Sequence, residues 1–159
     1  MEREKRGLPV ALDILTRRDR SETELRRRLL AKEIPDEEID AVVARLKELH
    51  YLDDRRLAER LATAAMSGGK GYGIRLALDL AKRGIPRDIA DETLSRITAG
   101  YDERELVREL LTRKFPAFDP ATADNREKSR VMNYLLRRGF SRSVVFDAMK
   151  NSSADSADR

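Results

Sequence analysis

The chain has 159 residues, with 33 Lys and Arg against 29 Asp and Glu and a formal net charge of +4. Charged residues make up 39% of the chain and hydrophobic residues 40%, whereas aromatic residues account for 5% and Cys is absent. The absence of Cys excludes a disulfide framework, a zinc ribbon and a thiol nucleophile. No signal-peptide pattern and no run of about 18 apolar residues occurs, so we expect a cytoplasmic protein that binds no membrane.

The first 50 residues predict three helices. Apolar residues recur at three- and four-residue spacing from Leu8 to Leu15, which is the pattern of one helix face. Ser21 and Glu24 have the spacing of a capping box, in which the hydroxyl and the carboxylate satisfy backbone amides of the first helical turn. Pro35 precedes three acidic residues, a combination typical of a helix start.

The next 50 residues repeat the helical pattern. Asp53 is a predicted N-cap. The following helix ends at SGGKGYG, residues 67–73, which lacks a complete phosphate-binding glycine motif because Lys70 is followed by Gly. We therefore interpret this segment as a flexible connector between two helices and not as a catalytic loop. The helix after it begins at Ile74, and its predicted apolar residues include Leu78.

The last third of the chain also predicts helices. Asp102 and Glu105 have the spacing of a second capping box, and residues 115–124 form the longest break. Two further helices follow, joined by a turn at Gly139, and the polar residues 151–159 predict a disordered tail. Because no segment alternates with the two-residue period of a strand, the predicted fold class is all-α.

One turn phrase occurs three times, each time with a bulky apolar residue just before a new helix. These residues are Ile34, Ile85 and Phe140, at intervals of 51 and 55 residues. When they are aligned, the apolar positions of the flanking helices also coincide, which predicts three tandem three-helix modules. The predicted modules cover residues 1–50, 51–100 and 101–150.

The first copy of this phrase departs from the other two. It has Glu33 where they have Gly84 and Gly139. Glycine at this position is typical of the left-handed residue that ends a helix. Glu33 therefore either ends its helix without a left-handed residue or adopts that conformation at a cost in strain.

The residue types that most enzymes use are scarce. His50 is the single histidine and lies near a helix end, where a packing or surface position explains it better than a role as general base. No acidic cluster has the spacing of a calcium loop. We therefore expect no enzymatic activity, no metal and no cofactor.

Basic residues cluster at 16–28, 81–83 and 135–142. A solvated helix face and a discontinuous ridge that contacts phosphates or an acidic protein explain these clusters equally well. The helix after the first turn begins with the acidic sequence PDEEID, which disfavours sequence-specific DNA recognition by a helix-turn-helix.

Five segments in one order resemble the RecX family of bacterial regulatory proteins. They are ALDILTRRDRSETELRRRLL, YLDDRRLAERL, GYGIRLALDLAKRGIP, LLTRKF and YLLRRGFSRSVVFDAM. The resemblance covers roughly residues 8–150 and implies three tandem three-helix modules in an elongated, curved molecule that lies in the groove of the RecA–DNA filament. It also implies a regulator that represses ATP hydrolysis and strand exchange by RecA, and so limits homologous recombination, DNA repair and the SOS response. Leu57 occupies a place where the family usually has Phe.

On this resemblance, we expect a monomer that binds the RecA filament and also contacts DNA phosphates. The alternative is a nonspecific DNA-binding protein that acts by occupying DNA. The residues that we expect to face the partner are Arg26, Arg27, Lys70, Tyr72, Arg75, Arg137 and Arg138.

Overall fold

The computed structural model describes residues 6–150, and within this range every regular element is an α-helix. The prediction of an all-α fold is therefore confirmed. The predicted disordered tail, residues 151–159, lies outside the described residues. The nine helices of the described range are α1 Gly7–Arg17, α2 Glu22–Leu30, α3 Asp36–Glu48, α4 Asp54–Ser67, α5 Gly73–Lys82, α6 Arg87–Thr98, α7 Glu103–Lys114, α8 Asn125–Arg137 and α9 Arg142–Lys150.

Contacts along the chain define two compact units. Within residues 6–150, the first unit contains the residues up to Leu61 together with Asp79–Thr93. The second unit contains Ala62–Leu78 together with the described residues from Leu94 onward. The module boundaries inferred from the repeat, at residues 50, 100 and 150, stay a prediction. None of the helices between residues 6 and 150 is long and apolar enough to cross a membrane.

The core of the first unit lies among α1, α2 and α3. Leu25 and Leu29 of α2 are fully buried, and so are Ile39, Val43 and Leu46 of α3. Each group follows the three- and four-residue spacing that aligns side chains on one helix face. Complete burial of such a side chain stabilises the fold by about 1.5–3 kcal/mol, so this stripe is a main source of stability in the unit.

The core of the second unit lies among α7, α8 and α9. Val107 and Leu110 of α7 are buried against Val131 and Leu135 of α8, and Val145 of α9 completes the group. The sequence analysis expected equivalent apolar positions in the helices that flank each repeated turn, and Val131, Leu135 and Val145 occupy such positions in α8 and α9. Their burial confirms that part of the prediction.

The first predicted capping box is present at the start of α2. The Ser21 hydroxyl accepts a hydrogen bond from the Glu24 amide at 3.1 Å, and the Ser21 amide donates to Glu24 Oε2 at 3.0 Å. Asp53 also caps its helix as predicted, because its carboxylate accepts a hydrogen bond from the Arg56 amide at 3.0 Å. Two of the helix starts read from sequence are therefore confirmed in atomic detail.

The second predicted capping box is only half correct. Asp102 does cap α7, since its carboxylate accepts a hydrogen bond from the Arg104 amide at 2.9 Å. The Glu105 carboxylate does not return to the cap but pairs with the guanidinium of Arg108 at 2.6 Å. The ion pair with Arg108, three positions later on α7, therefore takes the place of the hydrogen bond to the Asp102 amide.

The three repeated turns share one backbone geometry. Glu33, Gly84 and Gly139 all adopt left-handed conformations, with φ of 60°, 74° and 96°. In each turn the next amide donates to the carbonyl five residues earlier, which is the hydrogen bond of the Schellman helix-ending motif. These bonds join Ile34 to Leu29 at 3.1 Å, Ile85 to Leu80 at 3.2 Å and Phe140 to Leu135 at 3.4 Å.

Of the two alternatives for Glu33, the strained left-handed conformation is the one observed. The residue is exposed and left-handed, where a side chain with a Cβ is disfavoured. The apolar residue that follows, Ile34, is buried like its counterparts Ile85 and Phe140. Burial of Ile34 and the Schellman hydrogen bond therefore hold Glu33 in this conformation.

His50 ends α3 in the same way. Its φ is 57°, and the amide of Tyr51 donates to the Leu46 carbonyl at 2.9 Å. The His50 residue is exposed, and its carbonyl accepts a hydrogen bond from the Arg56 guanidinium at 2.7 Å. This position agrees with the interpretation of His50 as a surface residue at a helix end.

Candidate partner-binding surface

The SGGKGYG connector begins with the helix-ending motif already described. Gly69 is left-handed, with φ of 62°, and the Lys70 amide donates to the Ala65 carbonyl at 2.8 Å. A Cβ at position 69 would lie 2.6 Å from Cδ1 of Leu110 on α7. Glycine is therefore required here for its conformation and for the close approach to α7, and both requirements fix the start of the connector.

The rest of the connector is bound to the turn between α8 and α9. The Tyr72 amide donates to the Arg138 carbonyl at 2.8 Å, and the Arg138 guanidinium donates to the Lys70 carbonyl at 3.2 Å. The ring of Tyr72 stacks on that of Phe140, with centroids 5.2 Å apart and planes 9° apart. We call this arrangement the connector–turn junction and define it by Lys70, Tyr72, Arg138, Gly139 and Phe140.

Gly139 makes this junction possible. A Cβ at this position would lie 2.0 Å from the carbonyl oxygen of Tyr72 and 2.8 Å from Cβ of Arg75. Its left-handed conformation also favours glycine. The backbone of the α8–α9 turn therefore touches the backbone that leads into α5, with no room for a side chain between them.

Four of the seven predicted partner-facing residues meet at this junction. Lys70, Tyr72 and Arg138 belong to it, and Arg75 adjoins Gly139. Arg137 ends α8 and lines an exposed face of that helix with Arg130 and Asn133. Lys70, Arg75 and Arg137 are exposed, whereas Tyr72 and Arg138 are half-buried. The structure thus gathers residues from the connector and from α8 on one side of the second unit, and their contact with a partner stays a prediction.

Tyr72 and Arg138 have structural roles in the junction. Burial raises the pKa of the Tyr72 phenol above its ordinary value, and the carboxylates of Glu103 and Asp102 raise it further. The phenol is therefore neutral at physiological pH. The guanidinium of Arg138 lies over the ring of Tyr134, 4.9 Å from its centroid, in a cation–π contact.

Arg26, a predicted partner-facing residue of the first unit, is engaged within that unit. Its guanidinium pairs with Glu22 at 2.9 Å and with Asp40 at 2.6 Å. The hydrogen bonds to Asp40 and to Glu22 raise the pKa of Arg26 above its ordinary value. The Glu22 carboxylate also accepts a hydrogen bond from Lys47 at 2.7 Å, so these charges form a network across α2 and α3.

Arg27 differs from its neighbour. It is exposed on α2, and within residues 6–150 no ion pair or side-chain hydrogen bond engages its guanidinium. Of the two adjacent arginines, Arg27 is thus the one whose charge is available to a partner without loss of an internal contact. A role for either in partner binding stays a prediction.

The sequence analysis missed a basic stripe on α8. The residues of this stripe are Arg126, Arg130, Asn133 and Arg137, which are all exposed and lie three or four positions apart. Residues at these spacings share a helix face. The three- and four-residue spacing that identified the apolar faces also holds for these positions. The stripe could therefore have been predicted from the spacing of the arginines in the sequence.

The sequence analysis was also wrong about one face of α5. Leu78 was predicted to be part of the apolar face that packs inward, but it is exposed, and so is Ile74. Leu76 and Leu80 are the buried residues of this helix, each with a relative exposure of 1%. Both pairs have the spacing of a helix face, and the difference between them comes from tertiary packing.

Acidic and histidine side chains show no metal-binding arrangement in the described range. Between residues 6 and 150, no group of three or more such side chains lies close enough together to hold an ion. Many of the acidic residues cap helices or pair with arginine and lysine, as Glu24 does with Arg83 at 2.9 Å, and Asp119 accepts hydrogen bonds within the loop between α7 and α8. Their observed chemistry is structural.

These features define a class of protein, built from helical domains whose helices end in a recurrent left-handed turn. Comparison with protein families matches residues 10–46 to "RecX, first three-helix domain" and residues 102–149 to "RecX, third three-helix domain". A regulatory protein RecX from Trichlorobacter lovleyi is 40% identical over 136 residues, which cover 86% of this chain and 88% of the relative. A second one, from Syntrophotalea carbinolica, is 36% identical over 86% of this chain and 89% of its own length.

The chain therefore belongs to the RecX family of regulatory proteins, as the resemblance predicted. The fold is shared with a solved structure as well. The crystal structure of RecX from Lactobacillus salivarius superposes with a TM-score of 0.70 at 23% identity, over 91% of this chain and 92% of that one.

Proposed function

We propose that this protein binds the RecA–DNA filament in the cytoplasm and inhibits ATP hydrolysis and strand exchange by RecA. It would thereby limit homologous recombination and the SOS response. The observation that carries this proposal is membership of the RecX family, supported by relatives that match 86% of the chain. Inhibition of this kind requires binding to the filament and no chemical step by the bound protein.

The connector–turn junction gives the proposal a physical basis. Lys70 and Arg137 are exposed, and they lie on backbone segments that hydrogen bonds and a glycine contact hold together. A surface fixed before binding loses little conformational entropy when it binds. A polymer offers the same surface on every subunit, so weak contacts by several parts of the chain add through high effective concentration.

The test is a titration of this protein into RecA that hydrolyses ATP on single-stranded DNA. We expect the hydrolysis rate to fall at amounts equal to or below that of RecA, and strand exchange to fall in parallel. Electron microscopy of the same samples should show added density on the filaments. A hydrolysis rate that stays constant over a wide titration, with circular dichroism showing the added protein to be helical, would remove the proposal.

The basic stripe on α8 favours a second candidate, nonspecific binding to DNA. Arg126, Arg130 and Arg137 occupy one exposed face of a single helix. Neutralisation of phosphates releases counterions, so affinity for duplex DNA would fall with salt by roughly 0.9 log units per contact and per tenfold change in salt concentration. A glutamate lies near this stripe, since Glu127 is 3.7 Å from the guanidinium of Arg130, and it weakens the local positive charge.

A double variant separates the two candidates. Arg126→Ala and Arg130→Ala together remove two of the three arginines of the basic stripe and leave Arg137, a predicted partner-facing residue, in place, with a good helix former at each changed position. If naked-DNA binding is lost and inhibition of RecA persists, the filament protein is the target. If inhibition is lost in proportion to DNA binding, the protein acts by occupying DNA.

A further inference from the structure

Arg20 lies in the segment between α1 and α2 and is half-buried. Within residues 6–150, its Nε atom is buried and has no hydrogen-bond partner. Its terminal nitrogens are not buried in this way, and no ion pair or hydrogen bond from the described residues engages them. The guanidinium is therefore held with its Nε side against the protein and its terminal N–H groups toward solvent. Because burial of an unpaired polar atom costs free energy, the stability of the fold does not explain this position.

Arg83 fixes the backbone around Arg20. The Arg83 guanidinium donates to the Asp19 carbonyl at 3.0 Å and pairs with the Glu24 carboxylate at 2.9 Å. The Arg83 carbonyl accepts a hydrogen bond from the Ser21 hydroxyl. The residues before and after Arg20 are thus both bound by Arg83, and two of the three basic clusters identified in the sequence meet within the first unit.

Two further arginines lie near Arg20 without internal partners. Arg18 and Arg28 are exposed, and within the described range no ion pair or side-chain hydrogen bond engages either guanidinium. Burial lowers the pKa of Arg20, and the positive charges of Arg28 and Arg18 lower it further. The Glu24 carboxylate raises this pKa, but Arg83 already binds it. We call Arg18, Arg20 and Arg28 the arginine cluster, which carries positive charge in excess of the carboxylate beside it.

We propose that the arginine cluster binds a phosphate group, which accepts hydrogen bonds from the terminal N–H groups of Arg20 and Arg28. Guanidiniums bind phosphate through parallel pairs of N–H groups, in charge-assisted hydrogen bonds that are stronger than those between neutral groups. A partly buried guanidinium attracts an anion more strongly than a fully hydrated one, because the local dielectric constant is lower. The bound anion would also offset the repulsion among the three arginines.

The number of arginines without partners favours a phosphate over a carboxylate. A carboxylate has two oxygens in one plane, which match a single guanidinium. The oxygens of a phosphate point in tetrahedral directions, so they can accept from several guanidiniums at once. Backbone phosphates of a nucleic acid and free phosphate present the same chemistry to the cluster, and the experiment separates these two sources. The inference concerns the first unit and depends neither on RecA nor on the basic stripe of α8.

The experiment follows the arginine signals of the full chain by NMR. The Nε–H signals of Arg20 and Arg28 are observed in protein with isotope-labelled arginine, and they are assigned from their loss in Arg20→Lys and Arg28→Lys. Inorganic phosphate, a short oligothymidylate and acetate are each titrated at constant ionic strength. We expect both signals to shift in a saturable manner with inorganic phosphate, with the oligothymidylate or with both, and to respond weakly to acetate.

The order of the responses identifies the source of the phosphate. A response to the oligothymidylate at a lower concentration of phosphate groups than to inorganic phosphate identifies a nucleic-acid backbone, and the reverse order identifies free phosphate. Either result supports the inference. Signals that respond to neither ligand, or as strongly to acetate as to phosphate, would overturn it.

The Arg20→Lys variant tests the guanidinium at unchanged charge. Lysine lacks the paired N–H groups, so we expect the affinity for inorganic phosphate and for the oligothymidylate, followed at the Arg28 signal, to fall about 10- to 100-fold. The matched control is Arg87→Lys, at an exposed position of α6 in the first unit, where the guanidinium lies 3.5 Å from the Asp91 carboxylate. This control should bind within about twofold of the original chain, because distant exposed charges are screened. Equal affinities of Arg20→Lys and the original chain would contradict the inference.

Unfolding in urea separates a ligand site from a structural role of Arg20. Methionine keeps the unbranched apolar stem of the side chain and removes both the buried Nε and the charge. In phosphate-free buffer, Arg20→Met should therefore unfold at an equal or higher urea concentration than the original chain. Inorganic phosphate or the oligothymidylate, whichever shifts the NMR signals, should raise the urea midpoint of the original chain more than that of Arg20→Met. A lower midpoint for Arg20→Met without phosphate would show that the guanidinium supports the fold, and would overturn the inference.

Discussion

Gly139 touches the backbone of Tyr72 so closely that a Cβ at position 139 would lie 2.0 Å from the Tyr72 carbonyl oxygen. The substitution Gly139→Ala would therefore force the α8–α9 turn away from the connector, in addition to placing alanine in a left-handed conformation. The conformational term costs about 1–2 kcal/mol and the overpacking about 1–3 kcal/mol. We expect the free energy of unfolding, measured with urea, to fall by roughly 2–4 kcal/mol.

Gly100→Ala is the matched control. Gly100 is not among the left-handed glycines of the described range, and a Cβ there would meet only the Ile97 carbonyl oxygen, at 3.5 Å. We expect this substitution to change the free energy of unfolding by less than about 1 kcal/mol. Equal effects of the two substitutions would show that the close contact at Gly139 contributes little to stability.

A substitution of Glu33 should raise the free energy of unfolding, in contrast to Gly139→Ala. Its φ of 60° is disfavoured for a residue with a Cβ, whereas glycine adopts it without strain. We expect Glu33→Gly to raise the free energy of unfolding by up to about 1 kcal/mol, because relief of strain in the folded chain exceeds the added entropy of the unfolded chain. Thermal unfolding followed by circular dichroism measures the effect.

Lys32→Gly controls for the flexibility that glycine brings to the same turn. Lys32 is exposed and is not left-handed, so glycine relieves no strain there. We expect this variant to be unchanged or slightly less stable than the original chain. Stabilisation by Lys32→Gly to the same degree would mean that conformation at position 33 is not the cause.

Local sequence signals predicted the parts of the fold that neighbouring residues determine. The caps at Ser21 and Asp53 and the recurrent turn at Ile34, Ile85 and Phe140 all depend on residues within one or two helical turns. Such signals carry their own physical cause, because a cap or a left-handed residue satisfies nearby backbone groups. These features could therefore be predicted from the sequence. Glu105 is an exception, because it forms an ion pair with Arg108 and not the hydrogen bond of a capping box.

The candidate site depends on contacts between distant parts of the chain, and these left no local signal. Nothing near Tyr72 in sequence indicates that its amide bonds the Arg138 carbonyl. On α5, Leu76 and Leu78 both fit helical spacing, and only tertiary packing decides that the first is buried and the second exposed. Sequence thus identified most residues of the junction individually but not their arrangement.

Ser21 joins two distant segments of the first unit. Its buried hydroxyl donates to the Arg83 carbonyl and accepts from the Glu24 amide at 3.1 Å. Ser21→Ala removes both hydrogen bonds and leaves the Arg83 carbonyl without this donor. We expect the free energy of unfolding in urea to fall by about 1–3 kcal/mol.

Ser129→Ala, at an exposed position of α8, is the control for Ser21→Ala. Alanine is the better helix former, so this substitution should be neutral or slightly stabilising. A loss for Ser21→Ala no larger than that for Ser129→Ala would contradict a role of the buried hydroxyl in connecting the two segments.

The Glu24 carboxylate makes the stability of the first unit depend on pH. Burial alone would raise the pKa of Glu24, but the hydrogen bond from the Ser21 amide and the guanidinium of Arg83 outweigh burial, and the pKa is lowered. The folded chain therefore binds this proton less readily than the unfolded chain, whose glutamate pKa is about 4.3. The stabilisation is present above that value and is lost as the pH falls through the lower folded pKa.

Asp54 acts in the opposite direction, because burial raises its pKa in the folded chain despite the hydrogen bond from the Glu22 amide. Comparison with the Glu24→Gln variant therefore isolates the contribution of Glu24 to the pH dependence of the free energy of unfolding. Between pH 5.5 and pH 3, roughly the range around an unfolded glutamate pKa, we expect the free energy of unfolding to decrease more steeply for the original chain than for Glu24→Gln. Glu37→Gln, at an exposed position of α3, controls for the lost charge, and parallel profiles for Glu24→Gln and the original chain would contradict this account.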